Sequence, residues 1–181
     1  MSKIVVGQQF PDLAIDTLYG GKKHISDLLC EKKTVLWCLR YIGCTVCRYD
    51  VHVLSKRYEE VLAKGAQVCF MMQSEKEILL QELQGETLPF DIICDPSMEL
   101  YKALDIQPAE SMEALLGDGL AKLQEKGAAA AAAGFSHGKY EGDEQQLPAM
   151  FVLDANGTVE MAHYAASIMD MPTLDELLEI L

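Results

Sequence analysis

Apolar and polar positions follow two periods along this chain, and the changes of period mark its elements. Leu13-Ala14-Ile15-Asp16-Thr17 alternates with period two, as a half-buried strand does. The glycines of Tyr19-Gly20-Gly21-Lys22 predict a turn, and Lys23-His24-Ile25 a short return strand. Ser26 is placed to cap a helical turn over Asp27-Leu28-Leu29, with Asp27 at its positive end. Val35 to Tyr41 is apolar on both faces, which fits a central strand covered by helices on each side. After Gly43 the period lengthens. Cys47, Val51, Leu54, Tyr58, Val61 and Leu62 form the core stripe of an amphipathic helix that Gly65 ends.

Val68 to Met72 reads as the next strand. Ser74, with Glu77 three residues on, predicts a capped helix reaching about Leu83. A further strand lies within Leu88 to Asp95, and Asp95-Pro96-Ser97 opens a short helix from Met98 to Leu104. This order predicts a sheet sandwiched by helices. From Gln107 to Gln146 the pattern breaks. Met112, Leu115, Leu116, Leu120 and Leu123 predict a helix loosened by Gly117 and Gly119. The alanine run Ala128 to Ala133 follows, and a run that short is marginal as a helix alone. It is expected as a mobile or Ala-packed connector, or as a lid over a functional site. Leu147 to Leu153 is a strand entered through Pro148; Asp154-Ala155-Asn156-Gly157 is a hairpin turn, and Thr158 to His163 its return strand. Thr173 and Glu176 cap a last helix carrying Leu174, Leu177, Leu178 and Leu181. The expected class is α/β: a central mixed sheet flanked by helices, with an N-terminal hairpin and a helical insertion at about 107–146, all in one domain over residues 1–181.

Bulk properties narrow the partners. A chain of 181 residues suits one domain with a sizeable core. The net charge of −13 argues against nonspecific nucleic-acid binding and against docking on an anionic membrane. No apolar run approaches the ~20 residues that span a bilayer. Met1 to Gly7 is too short and too soon broken for a secretory signal, so a cytoplasmic location is expected.

Six cysteines are present: Cys30, Cys38, Cys44, Cys47, Cys69 and Cys94. A disulfide-stapled scaffold is usually shorter and richer in cysteine. Cys38 and Cys69 lie in apolar strand-like runs, Cys94 ends another, and Cys30 ends an apolar helical turn; these four read as buried inert thiols. Cys44-Thr45-Val46-Cys47 is different, because it falls where the central strand gives way to the long helix. Helix N–H groups and the helix dipole favour a thiolate at Cys44, and Arg40 and Arg48 bring positive charge. Lowering a thiol pKa from ~8.5 to ~7 raises the thiolate fraction at neutral pH from roughly 3% to about half. Cys44 is therefore the expected nucleophile and Cys47, one turn on and more covered, the resolving thiol. Half of a zinc site is the other reading of this motif, but the chain offers no second Cys-x-x-Cys or Cys/His pair. His24, His52, His137 and His163 are scattered and read as surface or satisfied histidines.

The layout resembles the thioredoxin superfamily, in its peroxiredoxin-like branch. GQQFPDLAIDTLYGGKKHISDL resembles the N-terminal hairpin of peroxiredoxins and of thioredoxin-like reductases of the cytochrome-maturation type. RYIGCTVCRYD resembles the alkyl hydroperoxide reductase/thiol-specific antioxidant proteins that carry an Arg, Gly, Cys-x-x-Cys, Arg pattern. DPSMELYKALDI and FVLDANGTVEMAH resemble later segments of that group. The resemblance implies a thioredoxin-like fold and a redox-active Cys44/Cys47 pair acting as an antioxidant oxidoreductase. Its substrates would be peroxides or disulfides, its electron donor a thioredoxin- or glutathione-type thiol, with no cofactor. Arg40, Pro148, Arg48 and Thr45 would support the pair. Pro148 matches the place of a cis proline facing the Cys-x-x-Cys; a trans proline starting an edge strand is the alternative.

Two departures bear on the chemistry. Aligned on Cys47, the threonine of ordinary peroxiredoxins is replaced by Cys44 and their proline by Arg40, while Pro148 lies near the place of their late arginine. Thioredoxins carry a buried Asp where Cys38 stands. Neither the usual peroxide pocket nor the usual acid/base helper is expected. A non-enzymatic redox-sensing or binding module on the same scaffold is the alternative to an enzyme.

Overall fold

A computed structural model describes residues 2–29 and 31–181. The expected buried thiol at Cys30 lies outside the described residues. The core is a seven-stranded sheet in the order β2-β1-β5-β4-β3-β6-β7. Its strands are β1 (Ala14–Thr17), β2 (Gly21–His24), β3 (Lys33–Cys38), β4 (Ala66–Met72), β5 (Ile92–Cys94), β6 (Ala149–Leu153) and β7 (Val159–Tyr164). β3 pairs parallel with β4 and antiparallel with β6, and β4 pairs parallel with β5, so the sheet is mixed.

The alternation along β3 divides the core. Val35 and Trp37 point to one side, with Val51, Leu54 and Val61 of helix α2 (Thr45–Ala63), Leu79 of α3 (Lys76–Leu83) and Leu177 of α7 (Leu174–Ile180). Leu36 and Cys38 point to the other, with Ile15, Phe151 and with Leu100 and Tyr101 of α4 (Glu99–Ala103). Both faces of the strand are thus covered, as its unbroken apolar run requires. Two caps differ from expectation. Ser26 begins α1 (Ser26–Leu29) rather than capping it; its N–H is accepted by Asp12 Oδ1 at 2.9 Å. Ser74 does not cap α3, because its hydroxyl accepts from Ile42 N–H and donates to Glu141. Asp95 takes over at α4, accepting from the N–H groups of Glu99, Leu100 and Tyr101. Thr173 and Glu176 form the expected capping box at α7. Leu62, placed on the α2 stripe by spacing, is 39% exposed in the last turn.

The insertion is more regular than expected. It contains α5 (Met112–Leu116), a 3₁₀ turn at Gly117–Gly119 and α6 (Leu120–Ala132). Ala128 to Ala132 lie inside α6 rather than in a connector, with Ala133 as its C-cap, and Ala130 is fully buried. α6 packs on α2, and Lys126 Nζ reaches Asp50 at 2.6 Å. Tertiary packing supplies what six alanines lack alone. Residues 134–146 then run as a strap back to β6. Among the described residues, no helix is long and apolar enough to cross a membrane.

Candidate active site

The site stands where β3 ends and α2 begins. Cys44 is the residue before α2, in extended conformation, and Thr45 is its half-buried first residue. Cys47 follows one turn later. Cys44 is 1% exposed and Cys47 4%, so the expected greater covering of Cys47 is absent. The strap is the reason. Gly138 N–H donates to Gly43 C=O at 2.8 Å, laying the strap across the turn that carries Cys44. A Cβ on Gly43 would lie 2.1 Å from Lys139 O. Gly43→Ala is therefore expected to lift the strap and speed alkylation of Cys44 by a bulky maleimide severalfold, read by peptide mass. An unchanged rate would show that something else covers the thiol.

Arg40 is buried beside the pair, 9% exposed. Its Nη2 donates to Cys44 Sγ at 3.1 Å and its Nη1 to Glu144 C=O at 2.6 Å. Among the described residues its Nε has no acceptor. The Cys47 thiol, hydrogen-bonded to the Cys44 sulfur, is the main influence holding Cys44 down; burial opposes it, and the Arg40 charge and hydrogen bond add to it. The net effect lowers Cys44 from the usual thiol range to about 6. Cys47 goes the other way: burial first, then the neighbouring Cys44 sulfur, push it up. Burial works against the Arg40 charge, but Cys47 and Cys44 more than offset it and its pKa is raised. Two thiols three residues apart are thus split into one that ionises readily and one that keeps its proton.

Arg48 does not join them. Its Nη1 is 2.6 Å from Glu82 Oε2 and its guanidinium lies over Phe135, so its charge holds the strap rather than a sulfur. Pro148 is buried and lines the same cleft as Cys47, but its peptide bond is trans. Leu147 C=O ahead of it accepts from Nε2 of its neighbour Gln146 at 3.0 Å. The cleft, of about 1210 Å³, runs between α2, α6 and the segment before α7, and reaches Arg40, Cys47 and Trp37. Among the described residues no group of three His, Cys, Asp or Glu side chains is gathered to hold a metal.

Sequence reasoning missed the strap's contributions. His137 lies at the site: its Nε2 is 3.2 Å from Tyr41 Oη, and its ring stacks on Tyr140. Glu141 accepts from Ser74 Oγ at 2.8 Å and Glu75 N–H at 3.1 Å. No local pattern marks these residues, whose partners lie far away in the chain.

With this geometry in place, comparison with known proteins is decisive on the family. The profile of the AhpC/TSA family matches residues 6–162. The chain belongs to the AhpC/TSA family. It is a peroxiredoxin-like member of the thioredoxin superfamily, and its Cys-x-x-Cys is Cys44–Cys47. Among its relatives is a prostamide/prostaglandin F synthase of Danio rerio, 27% identical over 168 residues, which cover 92% of this chain and 82% of the relative. The fold is shared with a yeast mitochondrial 1-Cys peroxiredoxin (TM-score 0.71, 15% identity, covering 98% of this chain and 74% of that one). It is shared also with the reduced 2-Cys peroxiredoxin of Plasmodium vivax (TM-score 0.69, 14% identity, 97% and 79%).

Proposed function

We propose that this AhpC/TSA protein is an enzyme that reduces a peroxide with Cys44 and closes a Cys44–Cys47 disulfide. The observation that carries the reading is Arg40, buried against Cys44 Sγ with Nε left without an acceptor. A buried donor without a partner costs about 1–3 kcal/mol, and a peroxide oxygen beside Cys44 is an acceptor that would relieve it. The Cys44 thiolate attacks one oxygen of the O–O bond, forming Cys44 sulfenic acid and releasing an alcohol or water once the leaving oxygen takes a proton. The Cys47 sulfur then attacks the sulfenic sulfur, and its proton leaves with the hydroxyl as water. Two equivalents of a thiol donor, of thioredoxin or glutathione type, return the dithiol and leave as a disulfide. The strap laid across the turn that carries Cys44 favours a small substrate over a protein disulfide.

The test is stopped-flow mixing of reduced protein with hydrogen peroxide and with an alkyl hydroperoxide, followed by Trp37 fluorescence. Trp37 lies in β3 and lines the cleft with Cys47. A fast phase is expected, with a Cys44–Cys47 disulfide confirmed by peptide mass. Its rate should rise with pH through about 6 and level off above, because the reacting form is the thiolate and Cys44 is lowered to that value. A rate no better than free cysteine with every peroxide would sink the proposal and move the assay to disulfides. Because the Danio rerio relative is named for making prostamide or prostaglandin F, the precursor of those products belongs in the same substrate panel.

A further inference from the structure

Arg40 does not hold itself against Cys44. Four hydrogen bonds close a ring that includes Gln73, the residue just after β4. Gln73 is 1% exposed. Its backbone N–H donates to Arg40 C=O at 2.9 Å. Its side chain grips the strap from both directions: Nε2 donates to Asp143 C=O at 2.7 Å, and Oε1 accepts from Asp143 N–H at 2.7 Å. The next carbonyl along the strap, that of Glu144, accepts from Arg40 Nη1. That leaves Arg40 Nη2 directed at Cys44 Sγ. One residue thus fixes both ends of the arginine, its backbone through the Gln73 backbone N–H and its guanidinium through the Gln73 side chain and the strap.

The strap is shaped for this grip. Gly142 has a φ of +57, and a Cβ there would lie 2.1 Å from Gln73 Oε1. A side chain at 142 would be strained and would collide with the gripping amide. The Gln73 side-chain hydrogen bonds go to Asp143 rather than to either sulfur, so its route to them runs through the strap and Arg40. A buried amide with both its donor and its acceptor used is costly to replace.

We infer that Gln73 is a positioning residue: its side-chain amide clamps Asp143 so that Glu144 C=O orients the Arg40 guanidinium onto the Cys44 sulfur. This inference rests on Cys44 being the reacting thiol, as proposed above, but does not depend on which substrate it attacks. Breaking the clamp frees the Glu144 carbonyl, lets the guanidinium swing, and costs the Cys44 thiolate part of a charge-assisted hydrogen bond.

The experiment is the pH dependence of Cys44 alkylation by iodoacetamide, with the extent read by mass on the peptide Tyr41–Arg48 and the site assigned by fragmentation. Gln73→Met keeps the side-chain length and loses both hydrogen bonds. Its midpoint is expected to move up by about one pH unit relative to the unaltered protein, in line with the strength of a bond to a charged group. A loss of stability alone would slow or speed labelling at every pH without moving the midpoint. A folded Gln73→Met protein with an unchanged midpoint overturns the inference. If that variant does not fold, Gln73→Asn, one methylene too short to meet Asp143, carries the same expectation, and an unchanged midpoint there overturns it equally. Because the readout is alkylation, an absence of peroxide reduction would fail the proposed activity and leave this result standing on its own.

Discussion

Cys44→Ser is expected to lower peroxide reduction by about three orders of magnitude or more, to the level of the remaining thiols. The size follows from losing the attacking atom itself rather than a group that assists it. The remaining described thiols cannot substitute. Cys47, Cys38, Cys69 and Cys94 are all pushed up, burial being the first cause in each. The companion variant separates the two roles. Cys47→Ser should still react once with peroxide and stop at a Cys44 sulfenic acid, which dimedone would trap and mass spectrometry would place. Cys47→Ala, which also removes the side-chain hydrogen bond to Cys44, should do so at higher pH than the unaltered protein, because that bond is the main influence lowering Cys44. If Cys44→Ser kept its fast phase and Cys47→Ser lost it, the assignment of nucleophile and resolving thiol would be reversed.

Arg40→Met is expected to cost about two to three orders of magnitude in the oxidation rate at neutral pH, through two effects of the same sign. Arg40 favours the charged form of Cys44, so removing it raises the thiol pKa; a charge-assisted hydrogen bond worth about 1.5–3 kcal/mol corresponds to roughly one to two pH units. At pH 7 the thiolate then falls from the dominant form to a minor one. The second effect concerns charge developing on the leaving oxygen, where loss of one oriented donor costs about 10²-fold in comparable sites. Stopped-flow rates from pH 5 to 9 distinguish them: the first disappears at high pH, the second does not. A variant whose profile superimposes on that of the unaltered protein would remove Arg40 from the mechanism. The same two-part profile connects this variant to Gln73→Met, which should reproduce a fraction of the first effect.

Much of the fold was legible because period carries it. The apolar run of β3, the 4-3-4-3 spacing of α2 and the Thr173/Glu176 box each report a local physical requirement, and each element is present, though β3 spans Lys33–Cys38 and stops three residues short of the expected Tyr41. Ser74 shows where that logic ends. Its spacing to Glu77 fits a capping box, yet its hydroxyl is taken by Ile42 and Glu141, and a tertiary partner outcompetes a local one. The alanine run failed for a related reason: its helicity comes from α2, which no six-residue window contains. At the site, the Cys-x-x-Cys and Arg40 could be read from type and place. Arg40's anchor could not, because the Glu144 carbonyl is 104 residues away and a backbone carbonyl has no sequence signature. Arg48 was misplaced by the same blindness, since nothing near it in the chain announces Glu82.

The division of the core by β3 has a consequence for how this protein survives its own chemistry. Cys38 is only six residues before Cys44, yet it belongs with Cys69 to the packing on one face of the sheet, while Cys44 and Cys47 belong to the other. An oxidised Cys44 therefore has Cys47 as its neighbour and a sheet between itself and those two thiols. Scrambling to a disulfide with either of them would require the sheet to open. The fold thereby acts as a quarantine for Cys38 and Cys69: oxidising equivalents that enter at α2 meet a pair that can be reset, and those two buried sulfurs are kept out of reach.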